Sequence, residues 1–186
     1  MKILISGGLG QIGSHIAEML LDRNDEVVVI DNLATGRKEH LVSHPKLKVI
    51  IDSISNRDLI YSLMEDFQPD VVVHAACSYK DPDDWYNDTL TNCVGGAILA
   101  DSAKKHGVKR FIYFQTALCY GLKPTEQPIT LNHPRNPEGS SYAISKTANE
   151  LYIEQSGIDF VTFRFSDFVT ETWIFFLTSF KIDSSL

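Results

Sequence analysis

Eight residues near the N-terminus, Ser6-Gly7-Gly8-Leu9-Gly10-Gln11-Ile12-Gly13, constrain the fold more than any other stretch. Lys2-Ile3-Leu4-Ile5 before them has strand character. After them Ile12, Ile16, Met19 and Leu20 recur at helical spacing. A glycine turn between a strand and a helix predicts a phosphate cradle at a helix N-terminus. Gly7 permits the sharp turn, Gly10 admits a close pyrophosphate, and Gly13 allows tight helix packing. The spacing is Gly7-x-x-Gly10-x-x-Gly13. The plainer alternative is an ordinary turn before a structural helix.

The rest of the chain repeats that alternation. Glu26 to Ile30 reads as a second strand ending at Asp31, 18 residues beyond Gly13. An acid about 20 residues on is expected to take the adenosine ribose diol and to repel a 2′-phosphate, which favours NAD over NADP. A strand-end cap is the structural alternative for Asp31. Further strands are predicted at 46–51, 70–74, 109–115 and 158–163. Helices are predicted at about 56–67, 84–106 and 140–156, with an ordered proline-rich loop over 122–139. Gly95-Gly96 within the long helix predicts close packing against a neighbour. Near-continuous apolar strands alternating with helices predict an α/β fold, a doubly wound parallel sheet in the order 3-2-1-4-5-6 with the ligand at the strand carboxyl ends. The expected boundaries are a dinucleotide-binding Rossmann domain over 1–165 and an atypical or truncated tail over 166–186.

Composition narrows the function classes. The chain has 186 residues and a formal net charge of −7, which gives no support to nucleic acid or an anionic membrane as partner. Cys77, Cys93 and Cys119 lie far apart with no C-x-x-C pair, which argues for a reducing compartment and against a zinc site. No signal peptide or span of about 20 apolar residues is present, so the cytoplasm is expected. No metal is expected: His74 and His133 stand alone. Cys119 is expected to be a small packed residue.

Tyr142 and Lys146 stand one turn apart on a predicted helix. A phenol is a weak base at neutral pH, and a nearby ammonium favours its ionised form. Thr116, at the end of the fifth strand, is placed to hydrogen-bond the same substrate oxygen. Together they suit proton removal from a carbinol while its hydride moves to a nicotinamide. On its own such a Tyr-x-x-x-Lys pair is more often a solvated pair on a helix.

Taken together, the glycine turn, Asp31-Asn32-Leu33, Thr116 with Ala117-Leu118-Cys119-Tyr120-Gly121, and Tyr142-x-x-x-Lys146 resemble the extended short-chain dehydrogenase/reductase family. More narrowly they resemble its NAD-dependent nucleotide-sugar epimerases and dehydratases, which include the UDP-glucose 4-epimerases. The segments Tyr79 to Trp85 and Gln115 to Gly121 are similar to epimerases of bacterial O-antigen polysaccharide biosynthesis. The resemblance implies bound NAD and a nucleotide-sugar substrate, a UDP-sugar above others. It implies that Gln11 and Ile12 meet the pyrophosphate and that Asp31, Asn32, Leu33, Thr35 and Gly36 surround the adenosine ribose. Ser53 and Ile54 would flank the adenine, although the family usually has an acid where Ser53 stands. Ala75, Ala76 and Cys77 would line the nicotinamide side, and Thr91 would meet the cofactor from the long helix. Thr116, Tyr142 and Lys146 would be the catalytic three, with Lys146 also holding the nicotinamide ribose.

The family's dehydratases carry an Asp-Glu pair where Ala117-Leu118 stand here, so the resemblance implies C4 epimerisation, with sugar oxidoreduction as an alternative. It also implies a homodimer through the helices near 84–106 and 140–156. Members continue with Arg-x-x-Asn-x-x-Gly-Pro and a substrate lobe; this chain has Asp167 and Thr170 at the Asn and Gly positions, and most of that lobe is expected to be missing. A non-catalytic NAD-binding module or fragment is therefore the competing expectation.

Overall fold

The computed structural model describes residues 1–165. The expected tail over 166–186 lies outside the described residues. Six strands form one parallel sheet: β1 (Lys2–Ser6), β2 (Glu26–Asp31), β3 (Leu47–Ile51), β4 (Val71–His74), β5 (Arg110–Thr116) and β6 (Phe160–Phe165). Their order is β3-β2-β1-β4-β5-β6, as expected. All neighbours pair in parallel, for example Ile5 with Val29 and with Val73. β6 begins and ends two residues later than the sequence suggested, because Ile158 follows a helix stop at Gly157 and packs under the sheet rather than within it.

Strand alternation sends side chains to two cores. On one face Ile3, Ile5, Val27, Val29, Val71 and Val73 pack against Ile16, Ala17, Leu20 and Leu21 of α1 (Gln11–Asp22). On the other, Leu4, Val28, Val72, Phe111 and Tyr113 meet α2 (Arg57–Phe67), the Gly96–Lys105 helix and α5 (Ser141–Ser156). Asn56 caps α2 by accepting the Leu59 N–H, and Ser140 caps α5 by accepting the Ala143 N–H.

Two details depart from a plain alternation of strands and helices. No α-helix joins β2 to β3; only the turn Lys38–His40 stands between them. As an edge strand without that cover, β3 leaves Lys48, Val49 and Ile51 exposed. The long helix is also not uniform. It is α3 (Trp85–Asp88), a π-helical segment over Thr89–Gly95, and α4 (Gly96–Lys105). The wider segment brings Asn92 against α5, and Gly95 and Gly96 pack where side chains would collide with Ile54 and Asn149. Gly95-Gly96 thus packs closely against its neighbours, as expected. None of the described helices is long and apolar enough to cross a membrane.

Candidate functional site

Each central strand is apolar along its body and polar where it ends: Ser6, Asp31, His74, Gln115 and Thr116. Parallel strands put all these ends on one edge. There a cleft of about 670 Å³ opens. It is within the usual range for a small-molecule or cofactor site.

The turn before α1 forms the cleft floor. Gly7 has φ +69°, and a Cβ there would sit 2.5 Å from the Ala76 nitrogen. Gly13 packs the helix start onto the turn itself: a Cβ there would come within 2.6 Å of the Gly8 Cα. Its packing partner is thus the turn rather than the body of the sheet. No side chain caps α1. The first-turn N–H groups have no intrahelical acceptor, and Gln11, Ile12 and Gly13 line the cleft. An uncapped glycine cradle of this shape fits a diphosphate.

Of the residues singled out in the sequence, Gly7, Gly10, Gln11, Ile12, Gly13, Asp31, Asn32, Thr35, Ser53, Ile54, Ala75, Ala76, Cys77, Thr91, Thr116, Tyr142 and Lys146 all line this cleft. Leu33 and Gly36 do not. Leu33 packs against the α1-side core, and Gly36 backs the Asp31 carboxylate, which a Cβ would approach to 2.7 Å. Asp31 accepts the Leu9 N–H at 2.9 Å and the Leu33 N–H at 2.8 Å, so it also fixes both neighbouring loops.

Sequence reading missed several residues here. Asp52 lines the cleft beside Ser53, its carboxylate accepting from the Ser53 N–H and the Asn56 side chain. Its place at the end of β3 was the available signal. Lys80 lines the mouth and donates to the Ala34 carbonyl across it at 3.2 Å. Asn92 is fully buried behind the wall. Its amide accepts the Ser78 N–H at 2.8 Å and donates to the Ser78 carbonyl at 2.9 Å and to Ser145 Oγ at 3.1 Å. It thereby joins the β4–α3 loop to the turn of α5 between Tyr142 and Lys146.

Tyr142, Lys146 and Thr116 all line this cleft. Lys146 is buried, its Nζ 4.3 Å from the centre of the Tyr113 ring. Burial pulls its ammonium down to about 8, against the opposing influence of Cys77 and Glu150. Burial pushes the Tyr142 phenol up, with Cys77, Asp88 and Tyr79 adding to the effect. The expectation that Tyr142 is lowered is therefore corrected: burial is the chief cause of the opposite shift. Thr116 Oγ1 accepts the Leu118 N–H at 3.2 Å, which leaves its own O–H to donate.

The other singled-out groups are structural. His74 Nδ1 pairs with Ser6 Oγ at 2.7 Å, and burial, then the Lys146 charge, keep the ring neutral. His133 Nε2 accepts the Thr125 N–H at 3.0 Å within the proline loop. Cys119 is buried, and its thiol is pushed up to about 11, chiefly by burial.

The model of the NAD dependent epimerase/dehydratase family matches residues 3–172. A UDP-glucose 4-epimerase from Streptococcus mutans is 33% identical over 177 residues, covering 89% of this chain and 51% of its own length. The Bordetella bronchiseptica enzyme WbmH, solved with NAD+, is 65% identical with a TM-score of 0.88, over 89% of this chain and 56% of that one. WbmG of the same organism, solved with NAD and UDP, is 45% identical with a TM-score of 0.84, over 87% and 52%. The chain spans about half the length of these relatives.

Proposed function

Because the chain belongs to the NAD dependent epimerase/dehydratase family, we propose that it binds NAD in this cleft and epimerises a UDP-sugar at C4. The observation that carries the reading is convergence. The uncapped glycine turn, Asp31, and the Thr116, Tyr142 and Lys146 group face one cleft. NAD supplies, when bound, a nicotinamide that accepts a hydride and returns it.

The first-turn N–H groups at Gln11, Ile12 and Gly13 hold the pyrophosphate, and Lys80 adds a positive charge at the mouth. Asp31 accepts from the adenosine ribose diol, as Asn32 and Thr35 close around it. Ser53 and Ile54 flank the adenine. Ala75, Ala76, Cys77 and Thr91 line the nicotinamide side. Tyr142, whose phenolate the positive charge of an oxidised nicotinamide would favour against burial, removes the proton of the sugar C4 hydroxyl, Thr116 donates to that oxygen, and Lys146 holds the nicotinamide ribose. Support for a uracil nucleotide comes from the UDP seen with WbmG. Ala117-Leu118 after Thr116 favours epimerisation over loss of water.

Exposed Val94, Ile144, Leu151 and Tyr152 lie on the π segment and α5. They support a homodimer through these helices. The free cysteines fit a cytoplasmic setting.

The test is to incubate the full chain with NAD and UDP-glucose or UDP-N-acetylglucosamine and to follow the C4 epimer by proton NMR. Epimer is expected, with turnover reduced at least a hundredfold in Tyr142→Phe while NAD binding persists. Turnover unchanged in Tyr142→Phe overturns the mechanism. Accumulation of reduced cofactor instead points to a sugar oxidoreductase. NAD binding without turnover points to a cofactor-binding unit.

A further inference from the structure

Gln115 lies between the groups assigned to chemistry, and its side chain is 2% exposed. Its Oε1 accepts the Thr116 N–H at 2.9 Å. Its Nε2 donates to the Lys146 carbonyl at 3.1 Å and to Glu150 Oε2 at 3.1 Å. Only this orientation of the amide works. Reversed, it would face an oxygen with the Lys146 carbonyl and the Glu150 carboxylate, and present an NH₂ to the Thr116 N–H.

Glu150 holds the amide from behind. It is fully buried, and Arg164 contacts its Oε1 at 2.7 Å. Arg135 of the proline loop lies 3.2 Å from its Oε2 and forms two hydrogen bonds to Glu154. Two cations matched to one buried carboxylate fix its position firmly. Tyr113 also donates to the Lys146 carbonyl, at 2.9 Å. The Gln115 side chain thus joins the backbone at Thr116 on β5 to the backbone at Lys146 on α5, beside the Tyr113 bond to the same carbonyl.

We propose that Gln115, seated by Glu150, is the positioning residue that locks the Thr116 end of β5 to the Lys146 turn of α5. It sets where the Lys146 ammonium stands in the cleft. This rests on the reading that Lys146 holds the nicotinamide ribose.

A double-mutant cycle on NAD affinity tests it, measured by titration calorimetry on the full chain with Gln115→Met, Lys146→Met and both. Met keeps roughly the volume of Gln115 and removes its three side-chain hydrogen bonds. Gln115→Met is expected to weaken NAD five- to tenfold beside Lys146, and less than twofold in the Lys146→Met background. An equal loss in both backgrounds, or no loss, overturns the proposal and leaves the NAD reading standing. A parent chain that does not bind NAD overturns both. Should Gln115→Met not fold, Gln115→Leu enters the same cycle with the same expectation, because it too removes the bonds to Thr116 and Lys146 and adds no charge.

Discussion

Replacing Lys146 with Met is expected to stabilise the protein while weakening its cofactor site. The ammonium is buried, and burial lowers it from 10.5 to about 8. A depression of that size corresponds to about 3 kcal/mol against the charged form in the folded state. The contact with the Tyr113 ring returns about 1 kcal/mol. Met fills a similar volume without the charge. At pH 7 Lys146→Met should thus gain about 2 kcal/mol, or roughly 4–8 °C in Tm for a chain of this size.

The sign of the pH dependence follows from which state keeps the proton. Below pH 8 both folded and unfolded chains carry the ammonium, and the cost is fully present. Between 8 and 10.5 the folded chain releases its proton first, so the parent gains stability as pH rises. The advantage of Lys146→Met should shrink towards zero across that window. Urea denaturation of both proteins at pH 7 and pH 10 reads this directly. A variant less stable than the parent at pH 7, or a gap that does not change with pH, would refute the argument.

Further substitutions separate architecture from binding. A Cβ at Gly13 meets the backbone of Gly8, whereas one at Gly10 meets only the Gly7 oxygen, at 3.2 Å. Gly13→Ala should cost about 1–3 kcal/mol in urea denaturation. Gly10→Ala should cost about 1 kcal/mol or less and still weaken NAD tenfold or more by calorimetry. Asp31→Ala should raise the NADP-to-NAD affinity ratio at least tenfold, and equal losses for both cofactors would remove the discriminating role from that carboxylate. Asn92→Leu leaves both backbone groups of Ser78 without their side-chain partner, so a loss of about 2–3 kcal/mol is expected by urea denaturation.

The sheet order and cleft were legible because their signals are local. Apolar runs, glycines and the acid after β2 each sit within a few residues of the feature that they report. Asn92 and Gln115 were not legible in this way. Each makes its contacts with residues far along the chain, Ser145 for one and Lys146 with Glu150 for the other. The π segment escaped for the same reason. Thr89 to Gly95 has ordinary helical composition, and only packing against α5 reveals the wider turn. Leu33 and Gly36 illustrate the converse. Both sit beside Asp31 in sequence, yet one turns to the core and the other supports the carboxylate from behind.

The polar strand ends carry two duties at once. Asp31 faces the cleft and holds the N–H groups of Leu9 and Leu33. Gln115 lines the cleft and joins β5 to α5. A buried polar group must find partners, so groups placed at an apolar sheet edge for recognition are drawn into the framework that surrounds them. Lys146 is the exception: burial lowers its ammonium against the opposing charge of Glu150, and the folded state is expected to be the less stable for it. Loss of turnover alone therefore cannot separate function from structure at Asp31 or Gln115, because both kinds of damage follow from one substitution. At Lys146 they part. A variant that gains stability and loses cofactor affinity identifies a group that the fold tolerates for the sake of its site.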